Sequence, residues 1–209
     1  MDKKLKSLRE SYTQLYESGS NNLIIVDVQP EYENYISFDI EEFCEWLNEN
    51  ADSYDKVIFF WNGPELGMVE EYELTEWFYS NGLEEDVVSN STWYDKGYAF
   101  FRYCIDEGID DDDIVSLIKF MWDESIYDSR DIDDEVWKMF IEKYGESPVR
   151  ELLQGADDLV SIPDLMDKLK NITGTNYLCG GGANECLKEV EIALLALDKE
   201  IRFIEKWVY

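Results

Sequence analysis

Three side chains stand out for the chemistry they would perform in company: Asp27, Lys96 and Cys186. A thiol becomes a competent nucleophile when a base and a cation lie beside it. This chain contains no histidine, so a Ser-His-Asp or Cys-His pair, a histidine base and a His-ligated metal are all excluded. Asp27 sits near the end of the apolar run Leu23-Ile24-Ile25-Val26-Asp27-Val28, where a buried carboxylate without a partner is costly. The plainer alternative is an aspartate that caps the following loop. Lys96 follows Trp93-Tyr94-Asp95 and precedes Gly97. That setting suits a desolvated ammonium or, alternatively, a surface lysine laying its stem over aromatic rings.

Cys186 closes the stretch Gly180-Gly181-Gly182-Ala183-Asn184-Glu185-Cys186. Three glycines let the backbone turn sharply against a ligand. A helix after them offers N–H groups to an oxyanion, and its dipole favours thiolate in the first turn. A structural cysteine beside a packing turn is the competing reading. The stretch has neither the lysine of a P-loop nor a G-x-G-x-x-G spacing. Glu185 beside the thiol, and a net charge of −30, oppose ionisation of the sulfur.

These residues need elements to hold them. The continuous apolar run Leu23 to Val28 suits a central parallel strand covered on both faces, and Val57 to Trp61 suits a second. A short third strand is expected around Asp86 to Ser89, a fourth at Tyr177 to Gly180 and a fifth at Ile201 to Val208. Helices are expected over residues 1–18, Ile40 to Asn50, about Met68 to Ser80, and Glu185 to Leu197. Asp110 to Asp113 caps a helix through Met121, Asp131 to Asp134 caps another through Tyr144, Pro148 opens a third, and Pro163 begins one reaching Lys170. Strands alternating with helices give an α/β fold: a Rossmann-like three-layer sandwich with a mainly parallel sheet. One domain covers residues 1–209, with a helical insertion at about 104–160. In such sheets ligands bind beyond the carboxyl ends of the strands.

Taken in order, the motifs resemble the isochorismatase-like cysteine hydrolases. Leu23 to Gln29 is similar to that family's opening apolar-apolar-Asp-x-Gln strand. Lys96-Gly97-Tyr98-Ala99-Phe100 is similar to its lysine-to-Ser/Ala-Phe stretch, and Gly180 and Cys186 keep the spacing of its Gly-x-x-Thr-x-x-Cys turn. Ala183 stands where the family has threonine. The resemblance covers about residues 20–103 and 163–209. It implies that Asp27 is the general base, Lys96 holds that carboxylate and the developing charge, and Cys186 attacks an acyl carbon. Gly182, Ala183, Asn184 and Glu185 would form the oxyanion and substrate-binding turn, with the N–H groups of Ala183 to Cys186 as donors. The implied reaction is hydrolysis of an amide or related C–N bond of a small molecule through a thioester, with no cofactor and no metal.

Composition sets the alternatives. The chain has 209 residues, 18 Lys and Arg against 48 Asp and Glu, 45% hydrophobic residues and 15% aromatics. It has the apolar content to bury a core. The charge balance argues against a basic groove for nucleic acid; another reading, a Mg²⁺-dependent nuclease built on Asp27 and other strand-end acids, is opposed by the scarcity of cations to hold a phosphate chain. No run approaches the roughly 18 apolar residues of a membrane span, and residues 1–20 lack the apolar core of a secretory signal. Four dispersed cysteines, Cys44, Cys104, Cys179 and Cys186, suit reduced thiols in the cytoplasm. The sequons at Asn90 and Asn171 are then chance matches. The second reading is a catalytically inactive acidic interaction protein, a nucleic-acid mimic that blocks a basic partner. It rests on the runs at Glu70-Glu71, Glu84 to Asp86, Asp110 to Asp113, Asp131 to Asp134 and Asp157-Asp158, which serve equally as solvated helix starts. A homo-oligomer through the long apolar helices is a further expectation.

Overall fold

In a computed structural model, the structure describes residues 19–96, 105–106, 108–123, 135, 138, 141–142 and 162–209. Five strands form one sheet: β1 (Asn21–Val26), β2 (Lys56–Trp61), β3 (Thr92–Asp95), β4 (Thr175–Gly180) and β5 (Glu200–Phe203). Their order is β3-β2-β1-β4-β5, and every pairing is parallel. The helices are α1 (Ile40–Asn50), α2 (Glu71–Ser80), α3 (Glu85–Asn90), α4 (Asp111–Asp123), α5 (Ile162–Leu169) and α6 (Cys186–Ala196).

The unbroken apolar strands follow from two-sided burial. Leu23, Ile25, Val57 and Phe59 point to one face, where α1, α2 and α3 bring Phe43, Leu47, Leu74, Phe78 and Val87. Ile24, Val26, Ile58, Phe60 and Leu178 point to the other, against Ile114 and Ile118 of α4, Leu165 of α5, and Val190 and Leu194 of α6. Successive side chains of a strand leave on opposite sides, so the central strands β1 and β2 carry apolar residues in an unbroken run to feed both cores. This is the expected three-layer α/β architecture. The helix α4 belongs to the segment between β3 and β4 where an insertion is expected. The expected helix over 1–18, the helix opened by Pro148 and most of the one after Asp131 lie outside the described residues.

Two elements differ from expectation. Residues 86–89 are not a strand but part of α3, and the third strand is β3, Thr92–Asp95. Val87 and Val88 favour strands, but Glu84, Glu85 and Asp86 occupy a helix start, and Val87 and Val88 both donate to Glu84 O. The pair is buried at the core-facing side of a short helix. The last strand stops at Phe203. A 3₁₀ turn, Glu205–Trp207, then swings Trp207 into contact with Phe38, Phe43 and Trp46, and this burial of a large indole ends the ladder.

The acidic runs that are described sit at helix starts. Glu70 and Glu73 form a reciprocal capping box, and Asp110 Oδ1 accepts from Asp112 N at the head of α4. Local helix termination accounts for their positions. No helix among the described residues is long and apolar enough to cross a membrane.

Candidate active site

The chain runs from β1 outward through β2 to β3 on one side, then returns to β4 and β5 on the other. The direction of winding therefore reverses between β1 and β4, and the carboxyl ends of these two strands flank the crevice where α/β sheets hold ligands. Val26 and Gly180 are register partners there. Gly180 has φ +74°, and a Cβ on it would collide with the Val26 carbonyl and the Val28 side chain. Only glycine lets the β4 turn close this tightly on the end of β1.

Asp27 is the first residue beyond β1. Its N–H donates to Phe60 O at 2.8 Å, and its own φ of +48° turns the chain off the sheet. The side chain is fully buried. Oδ2 lies 3.3 Å from Lys96 Nζ and accepts from Asn62 Nδ2 at 3.2 Å. Oδ1 takes no hydrogen bond from any described residue. Gln29, also buried, clamps the neighbouring loop: its Oε1 accepts from Asn62 N at 2.9 Å and its Nε2 donates to Asn62 O at 3.3 Å.

Lys96 follows β3, two strands or about 10 Å of sheet from β1. Its N–H donates to Trp61 O at 2.6 Å, which fixes the stem, and the side chain reaches back across the end of β2. The ammonium is 4% exposed as a residue and sits between Asp27 and Glu189, with Glu189 Oε2 at 2.5 Å. Burial works to lower its pKa, but Asp27, Glu189 and Cys186 together raise it above the ordinary lysine value. It is therefore a fixed positive charge. A surface lysine is not what the structure contains.

Cys186 opens α6, as the spacing implies, and its thiol is half-buried. Cys186 interacts electrostatically with Lys96, Tyr32 and Tyr209, which places it in the same neighbourhood as the Asp27–Lys96 pair. Cys186 lines a pocket of about 570 Å³ together with Gly182, Asn184 and Glu185 of the turn. Tyr32, Tyr35 and Tyr209 close its other sides. Ala183 instead lines a different depression, beside Leu187 and Val208.

The turn differs in detail from an open row of donors. Ala183 N–H donates to Tyr209 O at 2.9 Å and Glu185 N–H to Gly182 O at 2.9 Å. Both are spent on holding the turn. The Asn184 N–H has no backbone acceptor among the described residues.

Sequence reasoning passes over Glu189, Asn62, Tyr32 and Tyr209. Glu189 had a signal: an acid in the apolar stripe of α6, three residues after Cys186 and so on the same helix face. Asn62 and the tyrosines had none, because loop residues acquire their positions only from tertiary packing. Tyr209 OH donates to Asp27 O at 2.8 Å, and Asn62 Nδ2 also reaches Tyr32 OH at 2.9 Å. Burial, opposed by the Asn62 hydrogen bond and reinforced by Asp27 and Cys186, pushes the Tyr32 phenol up to about 12. Among the described residues no three His, Cys, Asp or Glu groups are arranged to hold a metal ion. No protein-family model matches the chain, and no curated protein or solved structure does either.

Proposed function

We propose that this chain is a cysteine hydrolase that cleaves an amide or related C–N bond of a small molecule through a thioester at Cys186. The observation that carries the reading is the buried Lys96 ammonium held against Asp27, whose second oxygen takes no hydrogen bond among the described residues, at the reversal point of the sheet and beside a pocket lined by Cys186. A buried carboxylate oxygen left unpaired is expensive, and proton transfer to and from a neighbouring group gives it a use.

In the first step the Cys186 proton passes to Asp27 as the sulfur attacks the acyl carbon. The C–N bond then breaks, and the departing amine takes that proton from Asp27. Water attacks the thioester, giving its proton to Asp27, and the C–S bond breaks to release the acid. The proton returns to the sulfur. Lys96 keeps Asp27 in place and offsets negative charge on the thiolate and the tetrahedral intermediate. The Asn184 N–H is the donor we assign to the oxyanion.

The test is amine release from a panel of small amides by the intact chain and by Cys186→Ala. A drop of at least about 100-fold in the variant, with an acyl adduct on the Cys186 peptide, supports the reading. Undiminished turnover by Cys186→Ala overturns it. So does alkylation of Cys186 no faster at pH 7 than that of Cys44 and Cys179, which are buried and whose thiols burial pushes up.

A further inference from the structure

The pocket lined by Cys186 is also lined by three tyrosines, Tyr32, Tyr35 and Tyr209, and by Glu185. Tyr32 and Tyr35 are three residues apart on one tight turn, Tyr35 N–H donating to Tyr32 O at 2.7 Å, a spacing that brings their side chains to one side. Two carboxylates, Asp27 and Glu189, face the single Lys96 ammonium. With Glu185 at the pocket, these described charges sum to negative even with Lys96 in place. The geometry points to an organic cation, a quaternary ammonium or a protonated amine, as the group this pocket receives; resting on the hydrolase reading, the substrate is an amide that carries such a group.

The chemistry is specific. A ring face presents negative potential, and several faces around one cavity hold a desolvated cation that a neutral isostere cannot match. Tyr32 and Tyr209 stay neutral phenols at physiological pH: burial is the first cause that raises both, and Asp27 adds to it at each. A cation here also answers the difficulty of making a thiolate in an acidic protein. Its charge lies beside the sulfur only while substrate is bound, so the thiol ionises most readily when there is an acyl group to attack.

Two thiol reagents of equal size and opposite charge test this: 2-(trimethylammonio)ethyl and 2-sulfonatoethyl methanethiosulfonate. Each transfers its sulfenyl group to the thiolate and expels methanesulfinate. Rates are read at the Cys186 peptide by mass spectrometry in 0.5 M NaCl, where screening over about 4 Å suppresses the general field of the acidic surface. The expected cation-to-anion rate ratio is at least about tenfold above that of glutathione. Tyr35→Ala and Glu185→Gln should each cut it by about threefold or more, and tetramethylammonium should slow both reagents. A ratio equal to that of glutathione, no modification of Cys186 by either reagent, or an unchanged ratio in Tyr35→Ala overturns the inference. Tyr35 is 74% exposed, so its truncation leaves the fold intact. Charge preference without hydrolysis of any amide would overturn the enzyme reading alone. Hydrolysis of neutral amides without charge preference would overturn this inference alone.

Discussion

The Lys96 ammonium lies closer to Glu189, at 2.5 Å, than to Asp27, at 3.3 Å. Glu189 is one helical turn beyond Cys186 on α6 and only 1% exposed, so the cation that should favour the thiolate is shared with a second carboxylate on the helix that carries the thiol. Replacing Glu189 with glutamine keeps the shape and removes one buried negative charge. Cys186 in Glu189→Gln should alkylate about three- to tenfold faster with iodoacetamide at pH 7, since less negative charge opposes ionisation. Stopped-time labelling with mass readout measures this, and an unchanged rate would mean that Glu189 serves packing alone.

Lys96 is the member the fold can least do without. Lys96→Met fills much of the same volume but leaves Asp27 and Glu189 buried with no ammonium between them. Removing one partner of a buried ionic cluster typically costs about 3–5 kcal/mol, and urea unfolding of the variant should show a loss of that order. A loss below about 1 kcal/mol at pH 7, the range of exposed ion pairs, would place the cluster in contact with water.

The contrast between Lys96 and Glu189 shows where sequence is informative. Two-sided burial forces unbroken apolar strands, so β1, β2 and β4 are legible from composition along a few residues. Asp27 is legible because it interrupts such a run, and Cys186 because glycines precede it. Val87-Val88 misled because intrinsic strand preference is weaker than a helix start followed by burial against the core. Trp207 could not be foreseen as the end of β5, since its position depends on Phe38 and Phe43 far back in the chain. The partner of Lys96 depends on which helix face meets the sheet edge, and that is a property of packing.

Alkaline pH should destabilise the fold progressively. Burial, helped by Glu41, pushes the Cys44 thiol from 9.0 up to about 12. Between those values the unfolded chain has given up a proton that the folded chain keeps, and stability falls as pH rises, by up to about 1.4 kcal/mol per pH unit for such a group. Cys179 and Tyr209, raised by burial first, act in the same sense. Lys96, with its pKa raised against the pull of burial by Asp27 and Glu189, contributes fully below the ordinary lysine value of about 10.4 and loses that contribution above it. Thermal unfolding should give a falling melting temperature from pH 9 to 11, with a shallower slope in Cys44→Ala. A flat profile would require these groups to ionise in the folded state as readily as in the unfolded one.

Asp27 and Glu189 are both buried carboxylates on the same ammonium, and the hydrolase reading gives them opposite consequences. As electrostatic groups alone, either one neutralised should make Cys186 more reactive. As the base, Asp27 must also receive the thiol proton, through the oxygen that has no hydrogen-bond partner among the described residues. Asparagine tolerates the φ of +48° found at residue 27, so Asp27→Asn should fold with little backbone strain. Its Cys186 should label more slowly than in the unaltered chain, with amide turnover reduced by about 10²–10⁴-fold, while Glu189→Gln labels faster. Matching accelerations in both variants would remove Asp27 from the role of base, leaving it only as a counter-charge to Lys96.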